Sequence, residues 1–222
     1  MQVQNWMTSD VITVNEDTPV IKISKILEEN DISHLPVIAE GKLAGIITDH
    51  EVQEAVPSKS TTLSAHELHH LLAETKARDI MKQNPITIEP EETMEIAAVE
   101  MLKHKIGSLP VVGGKGELLG IITKMDVFRV LISITGIYQG GVQFAFKLED
   151  KPGSIKEACD VIRKWGGRII SILSTRDKAE EGYRHTFIRT KGVPDENLPG
   201  LKRDLEKEFR LLYMKKDPIR EK

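Results

Sequence analysis

The sequence predicts a protein of the mixed α+β and α/β classes, with two tandem β-α-β-β-α repeats followed by a unit of β-α-β-β-α-β order. Two stretches of similar sequence recur at a nearly constant spacing, and the pattern changes after residue 134. Of the 222 residues, 40% are hydrophobic and 29% are charged, which is ordinary for a folded chain with room for two or three small domains.

An internal repeat covers about the first 135 residues. Met7 and Met81 are 74 residues apart, whereas Gly45 and Gly120 are 75 apart, so the second copy has gained one residue in a turn. Each copy is too small to bury a good core alone, and the two copies are therefore expected to pack together. The matching segments are WMTSDVITVNEDTPV at 6–20 with IMKQNPITIEPEETM at 80–94, SHLPVI at 33–38 with GSLPVV at 107–112, and GIIT at 45–48 and 120–123.

Each copy is predicted to form an extended segment, a helix, a two-stranded hairpin and a last helix. In the first copy, Thr18 and Pro19 indicate a helix start, and the residues Val20, Ile23 and Leu27 share one face of that helix. In the second copy Thr93 is the expected cap, and the residues expected to face inward are Ile96, Ala97, Met101 and Leu102. The predicted strands are 11–14, 43–48, 85–88 and 118–123, and the last helices are 51–56 and 127–133.

The segment between the copies contains the pattern His66-Glu67-x-x-His70, which is found in zinc proteases. Residues 63–74 are predicted to be helical, with Leu68, Leu71 and Leu72 on one side. Both histidines would then share a helical face, with Glu67 as a general base. No third metal ligand is identifiable in the sequence, and a solvated helix surface explains the same residues. We therefore expect no metal site and keep a metallohydrolase as an alternative.

The last part of the chain is predicted to alternate strands and helices in a different order. Strands are expected at 142–148, 168–175, 183–189 and 210–215, and helices at 154–165 and 198–209. The first of these helices would bury Ile155, Ala158, Cys159 and Ile162. The resulting order, β-α-β-β-α-β, is the ferredoxin-like pattern.

These motifs resemble two known families. The repeat, with its Met-Thr/Lys, Leu-Pro-Val and Gly-Ile-Ile-Thr-x-x-Asp/Glu segments, resembles a pair of CBS domains. The segment Asp150-Lys151-Pro152-Gly153, followed by a helix that ends in glycines, resembles an ACT domain. A CBS pair followed by an ACT domain is the architecture of the acetoin utilization protein (AcuB) family. The expected boundaries are CBS domain 1 at 1–56, a connector at 57–76, CBS domain 2 at 77–135, a linker at 136–141, an ACT domain at 142–216 and a tail at 217–222.

The CBS resemblance implies two clefts between the paired domains that bind an adenosine ligand. The expected regulatory ligands are AMP, ADP, ATP or S-adenosylmethionine, and no cofactor is required. The site of the second copy would comprise Thr87, Ile88, Gly107, Ser108, Leu109, Pro110, Thr123 and Asp126. The site of the first copy would comprise Thr13, Val14, Ser33, His34, Leu35, Pro36, Thr48 and Glu51.

The acidic residue of each Thr-x-x-Asp/Glu motif is expected to hold the ribose. One carboxylate can accept hydrogen bonds from both vicinal hydroxyls, and a charged acceptor strengthens them. Glu51 stands where the family usually has Asp, and this places its carboxylate one methylene further out. Asp126 could alternatively cap the helix that follows it.

The ACT resemblance implies an amino-acid site at the loop formed by Asp150, Pro152, Gly153, Ser154 and Ile155. Gly153 allows a close backbone approach at a helix start. A plain β-α turn explains the same residues, and the ACT part would then serve to pair two chains.

Composition and the remaining motifs favour a regulatory protein without catalytic activity. Lys plus Arg (31) nearly balance Asp plus Glu (34), so the net charge of −3 does not favour nucleic-acid or anionic-membrane binding. A single cysteine, Cys159, excludes an intrachain disulfide. Without a signal-like N-terminus or a long apolar run, a cytoplasmic location is expected. We expect a homodimer, formed through the CBS and ACT domains, that modulates an enzyme of acetoin or butanediol breakdown; a ligand-free dimerisation scaffold remains the alternative.

Overall fold

The structure is a computed structural model that describes residues 1–55 and 65–218; the side chains of residues 65–69 lie outside the description. The chain divides into two compact units, Met1–Phe128 and Arg129–Lys222. No helix in the described ranges is both long enough and apolar enough to cross a membrane.

The first unit contains the two repeats. Its strands are β1 (Val14–Asn15), β2 (His34–Ala39), β3 (Lys42–Thr48), β4 (Lys82–Gln83), β5 (Ser108–Val112) and β6 (Leu118–Thr123). Its helices are α1 (Val20–Glu29), α2 (Asp49–Ala55), α3 (Ala65–Glu74), α4 (Ala77–Ile80), α5 (Met94–His104) and the start of α6 (Lys124–Thr135). The strands form a sheet of order β1-β2-β3-β4 and a β5-β6 hairpin. The predicted segment 85–88 forms only a single parallel bridge, between Ile88 and Val111.

The N-terminal segments of the two repeats are exchanged between them. Residues 1–8 pair with the second repeat, and residues 75–82 pair with the first; we call these the exchange segments. Thr8 and Ile121 of β6 exchange two backbone hydrogen bonds of 3.0 Å, and Lys82 of β4 pairs with Ile46 of β3. The first repeat therefore gains β4 as an edge strand, and the second repeat gains a bridge at Thr8, each from the start of the opposite copy.

The shared glycines of the repeat make room for the shared methionines. A methyl group on Gly45 would lie 2.6 Å from Sδ of Met81, and one on Gly120 would lie 2.5 Å from Sδ of Met7. Both distances are far below van der Waals contact. The recurrent Met and Gly thus mark the two places where an exchange segment packs over a strand of the opposite repeat.

Helices α1 and α5 occupy the same place in the two repeats, but only α1 buries the face that was predicted. Val20, Ile23 and Leu27 are buried, and Thr93 caps α5 by accepting a hydrogen bond from the backbone N–H of residue 96 at 3.3 Å. In α5 the expectation for Ile96 and Leu102 was wrong, since they are 45% and 77% exposed. The helix is apolar on more than one side, and its inner face is formed by Met94, Ala97 and Met101.

The described part of the connector helix is Ala65–Glu74, within the predicted 63–74, and residues 63–64 lie outside the description. Leu72 packs against the core of the first repeat. Leu71 is exposed. The side chain of Leu68 lies outside the described residues. The connector therefore attaches to the first repeat through its C-terminal half.

The second unit forms the predicted β-α-β-β-α-β order. Its elements are β7 (Val142–Glu149), α7 (Ser154–Lys164), β8 (Arg168–Thr175), β9 (Tyr183–Lys191), α8 (Leu198–Glu208) and β10 (Arg210–Lys216). The strands form an antiparallel sheet of order β10-β7-β9-β8. Alternate residues of β7 pack with α7 and α8 in one apolar core, which includes Phe144, Phe146, Ile162 and Leu201. Cys159 belongs to this core, and burial raises the pKa of its thiol.

A buried ion pair holds the two ends of the second unit together. Arg189 of β9 donates to the carboxylate of Asp217 through Nε at 2.9 Å and Nη2 at 3.2 Å. The same guanidinium donates to the backbone oxygen of Thr135, the last residue of α6, and Ser171 Oγ also donates to that oxygen at 2.7 Å. The side chains of Arg189 and Asp217 are 5% and 6% exposed. This cluster fixes the C-terminal end of α6 against the sheet.

Candidate functional site

A cleft of about 650 Å³ is lined by residues from both repeats of the first unit. The first repeat contributes Ser33, His34, Ile46, Thr48, Asp49 and His50. The second contributes residues 82–86 together with Lys105, Ile106, Gly107, Ser108 and Pro110. A cavity of this size is typical of small-molecule sites. Neither repeat could form this cleft alone.

The Leu-Pro-Val strands position the polar wall of the cleft. Successive side chains of a strand point to opposite faces. Leu35 and Leu109 are fully buried in the apolar interior, so the residues before them, His34 and Ser108, face the cleft. The alternation of side chains along the Leu-Pro-Val strands therefore determines which of them line the cleft.

The Thr-x-x-Asp/Glu motifs form caps at the N-termini of α2 and α6. Asp126 Oδ2 accepts hydrogen bonds from the backbone N–H of Thr123 at 2.9 Å and from its hydroxyl at 2.6 Å. The backbone N–H of Asp126 donates back to Thr123 Oγ1 at 3.3 Å. This reciprocal arrangement is a capping box. It also explains why α2 and α6 begin at Asp49 and Lys124, two and three residues before the predicted starts.

Glu51 is the acidic residue of the first motif and is already engaged. Its Oε2 accepts hydrogen bonds from the backbone N–H of Thr48 at 2.8 Å and from the Thr48 hydroxyl. Its Oε1 lies 2.6 Å from Nζ of Lys82, which comes from an exchange segment. Burial of the carboxylate acts to raise its pKa, but the ion pair with Lys82 and the hydrogen bonds from Thr48 outweigh this and lower the pKa from 4.5 to about 2.

We expect the Glu51 carboxylate to make the first unit sensitive to acid. Because its pKa is lowered in the folded state, its stabilisation is present above about pH 4.5 and is lost as the pH falls toward about 2. The shift corresponds to about 3 kcal/mol at most. Glu51→Gln should flatten this part of the pH dependence of unfolding in urea. Glu54→Gln, on the exposed side of α2, should leave it unchanged, and equal curves for wild type and Glu51→Gln would contradict the assignment.

His34 and Gly107 are in close contact across the two repeats. A methyl group on Gly107 would lie 2.7 Å from Nε2 of His34, so the imidazole occupies the space that a side chain would need. Burial lowers the pKa of His34; Lys124 also lowers it, whereas Asp49 and Glu51 raise it. The imidazole is therefore neutral near pH 7 in this state.

The family is settled by sequence comparison. The model of the CBS domain family matches residues 3–58 and 77–133. The chain belongs to the CBS domain family. A CBS domain-containing protein of Dictyostelium discoideum is 36% identical over 133 residues, which are 60% of this chain and 92% of that protein. The inosine-5'-monophosphate dehydrogenase of Korarchaeum cryptofilum is 38% identical over 125 residues, but these are 56% of this chain and only 23% of the enzyme.

Solved CBS structures resemble this chain over similar lengths. The CBS domain pair of protein MJ0100, solved with 5'-methylthioadenosine and S-adenosylmethionine, is 28% identical with a TM-score of 0.51, covering 60% of this chain and 97% of that one. CBSX2 in complex with AMP is 28% identical with a TM-score of 0.50, covering 60% and 98%. A Vibrio cholerae structure described as an acetoin utilization protein (AcuB) is 29% identical with a TM-score of 0.52, covering 62% and 94%.

The CBS cleft joins residues that the sequence assigned to two separate sites. Six of the predicted residues line it, namely Ser33, His34 and Thr48 from the first set and Gly107, Ser108 and Pro110 from the second. Sequence reasoning paired motifs within one copy and missed Lys82, Pro85, Ile86 and Lys105, since nothing in the spacing shows the exchange.

The other predicted CBS residues lie elsewhere in the first unit. Thr13 and Val14 line a separate depression of about 440 Å³. Thr87 is exposed, while the side chains of Ile88, Leu35, Pro36 and Leu109 are buried. The motif residues Thr123, Asp126 and Glu51 form the caps described above.

The five predicted loop residues of the second unit do lie together. Asp150, Pro152, Gly153, Ser154 and Ile155 line one depression of about 390 Å³. The guanidinium groups of Arg176 and Arg184 donate hydrogen bonds to the Asp150 carboxylate. Gly153 precedes α7 with a φ of 92°, a left-handed conformation that favours glycine.

The His66-Glu67-x-x-His70 pattern is only partly described. The backbone of this segment is helical, but the side chains of His66 and Glu67 lie outside the described residues. Among the residues whose side chains are described, no group of three or more His, Cys, Asp or Glu could hold a metal ion.

Proposed function

We propose that this chain is a regulatory sensor that binds an adenosine ligand in the CBS cleft. The cleft carries the proposal, because two repeats and an exchange segment together build a cavity of ligand size, about 650 Å³. Related CBS structures contain AMP or S-adenosylmethionine with 5'-methylthioadenosine, which supports this ligand class. A ligand bound to both repeats would favour one arrangement of them only by its differential affinity.

The Thr-x-x-Asp/Glu carboxylates are proposed to receive the ribose hydroxyls. In the present structure Glu51 is held by Thr48 and Lys82, and Asp126 accepts from Thr123. A carboxylate oxygen accepts more than one hydrogen bond, so a ribose can be added to the cap or can displace Lys82. Thr13, Val14, Thr87 and Ile88 would contribute backbone contacts to the base after a local rearrangement.

A thermal-shift panel of AMP, ADP, ATP, S-adenosylmethionine and common amino acids tests the proposal. A ligand at 100 times its dissociation constant should stabilise the fold by about 2.7 kcal/mol. Glu51→Gln should weaken binding of the successful adenosine ligand by about 1–3 kcal/mol, because a charged acceptor beside the cleft residues Thr48 and Lys82 is lost while the side chain keeps its shape. No shift with any adenosine compound would contradict the sensor and favour a scaffold.

The second unit is proposed to be an ACT domain. Its β-α-β-β-α-β order, the β10-β7-β9-β8 sheet and the Gly153 loop support this assignment. An amino acid is the proposed ligand of the loop depression. Its carboxylate would receive hydrogen bonds from the backbone N–H groups at the N-terminus of α7. A thermal shift with an amino acid that is abolished by Gly153→Val supports this role, and no shift with any amino acid contradicts it.

A homodimer through the second repeat is proposed alongside ligand binding. Ile96, Val99 and Leu102 form an exposed apolar face on α5, whereas the outer face of α1 is polar. An apolar helix face of this kind is typical of an interaction surface, and the same observation favours a dimerisation scaffold as the second candidate function. Light scattering of the full chain measures its oligomeric state, and a monomer would contradict both the homodimer and the scaffold.

Control of an enzyme of acetoin or butanediol breakdown is also proposed, and it rests on the resemblance to the AcuB family.

A further inference from the structure

The acidic residue of the first Thr-x-x-Asp/Glu motif lies behind the wall of the CBS cleft. Thr48 and Lys82 line the cleft, whereas the described side chain of Glu51 does not reach its surface. The Glu51 side chain is 4% exposed and that of Lys82 is 66% exposed, and Nζ of the lysine lies 2.6 Å from Oε1 of the carboxylate. A ligand in the cleft therefore meets Thr48 and Lys82 before it reaches this carboxylate.

The two oxygens of the Glu51 carboxylate have different partners. Oε2 accepts both hydrogen bonds from Thr48. Oε1 is shielded from solvent and accepts no hydrogen bond from the described residues, because its contact with Lys82 is an ion pair without hydrogen-bond geometry. Nδ1 of His50, 3.6 Å from Oε1, is also beyond hydrogen-bond distance. Buried oxygens in folded proteins are nearly always hydrogen-bonded, so Oε1 indicates the place of a donor that these residues do not supply.

The repeat shows that this lysine belongs to one copy only. Residues 8 and 82 hold the same place in the two copies, since they are 74 positions apart and pair with the corresponding residues Ile121 and Ile46. Residue 8 is a threonine, which carries no charge. The chain therefore places a cation beside the acidic residue of the first copy, and a neutral residue at the equivalent position for the second.

We propose that Lys82 is a latch on the ribose acceptor of the CBS cleft, and that a bound nucleoside must displace it from Glu51 before the two vicinal hydroxyls can donate to the carboxylate. This inference rests on the proposed function and deepens it, since it states what a ligand has to overcome. The hydroxyls supply to Oε1 the hydrogen bonds that the lysine contact lacks, and hydrogen bonds to a charged acceptor are among the stronger ones. The affinity of the cleft for an adenosine ligand is thus reduced by the strength of one ion pair.

Titration calorimetry of the full chain with adenosine, which carries the ribose but no charge, tests the latch. At about pH 8, where Glu51 stays ionised without its partner, Lys82→Met should bind adenosine about fivefold more tightly than wild type. The analogue 2′,3′-dideoxyadenosine lacks both hydroxyls and should bind the two proteins equally. Lys25→Met is the matched control and should bind adenosine as wild type does, because the similarly exposed Lys25 forms an ion pair with Glu29 on α1, away from the cleft.

Salt provides a second measurement that needs no variant. Dissolved ions screen the charge of the exposed lysine, so they weaken the ion pair more than they weaken hydrogen bonds from an uncharged nucleoside. The affinity of wild type for adenosine should therefore rise about twofold between about 0.05 and about 0.5 M NaCl, whereas the affinity of Lys82→Met should stay constant.

The outcomes separate the latch from the function that it refines. Equal or weaker adenosine binding by folded Lys82→Met, or an equal gain for 2′,3′-dideoxyadenosine, would overturn the latch and leave the sensor in place. If neither protein binds adenosine, the latch is overturned as well; if wild type also responds to no compound of the thermal-shift panel, the proposed function fails with it. Melting curves show whether Lys82→Met folds. If it does not, a wild-type affinity that stays constant or falls with salt overturns the latch.

Discussion

Arg189→Leu is expected to destabilise the second unit by about 3–5 kcal/mol, because it leaves the Asp217 carboxylate buried without its partner. The side chains of the pair are 5% and 6% exposed. The variant also removes a hydrogen bond to the backbone oxygen of Thr135 at the end of α6. Urea unfolding, followed by the fluorescence of Trp165 in a Trp6→Phe background, measures the effect on this unit alone.

An exposed ion pair of the same unit is the matched control. Lys216 Nζ lies 2.6 Å from the Asp195 carboxylate, and both side chains are more than half exposed. Lys216→Ala should therefore cost less than about 1 kcal/mol. The double variant Arg189→Leu with Asp217→Leu should recover much of the loss, since no unpaired charge stays buried. A loss no greater than that of Lys216→Ala would show that the Arg189 pair is not buried in solution.

Gly120→Ala is expected to destabilise the repeat pair by about 1–3 kcal/mol through overpacking. The added methyl would lie 2.5 Å from Sδ of Met7 and 2.9 Å from the backbone oxygen of Thr8. The methionine can rotate, but the backbone oxygen belongs to the exchange segment and can move only if β6 loses its partner. Fluorescence of Trp6 in a Trp165→Phe background reports on this segment during urea unfolding.

Gly114 provides the control for this substitution. It lies in the turn before β6, has no atom within 4 Å of an added methyl, and does not need a left-handed backbone. Gly114→Ala should leave the midpoint within about 0.5 kcal/mol of wild type. If Gly120→Ala were equally neutral, the contact between the first exchange segment and β6 would be contradicted.

Local patterns predicted most of the elements well. Residues 118–123 and 168–175 are strands at the predicted bounds, and α1 buries the residues expected of it. Apolar period, turn glycines and helix caps act within a few residues, so the sequence carries them directly. The order of the second unit followed from the same signals.

Long-range features were not predictable in this way. Helix α5 is apolar on more than one side, so the sequence did not show that Ile96 and Leu102 face away from the core. The cleft depends on pairing of residues 82–83 with residues 45–46, which no local spacing encodes. Residues of both predicted CBS sites meet there because the exchange segments cross between repeats. The partners of Glu51 were missed for the same reason, since Lys82 is 31 positions away in the chain.

The exchange segments also determine which part of the chain unfolds as one cooperative unit. Each repeat receives backbone hydrogen bonds from a segment at the start of the other, so loss of order in one deprives the other of hydrogen-bond partners. The two repeats are therefore expected to unfold together. A small molecule that stabilises one repeat would therefore also stabilise the other. A sensor needs such coupling if both repeats are to respond to one binding event.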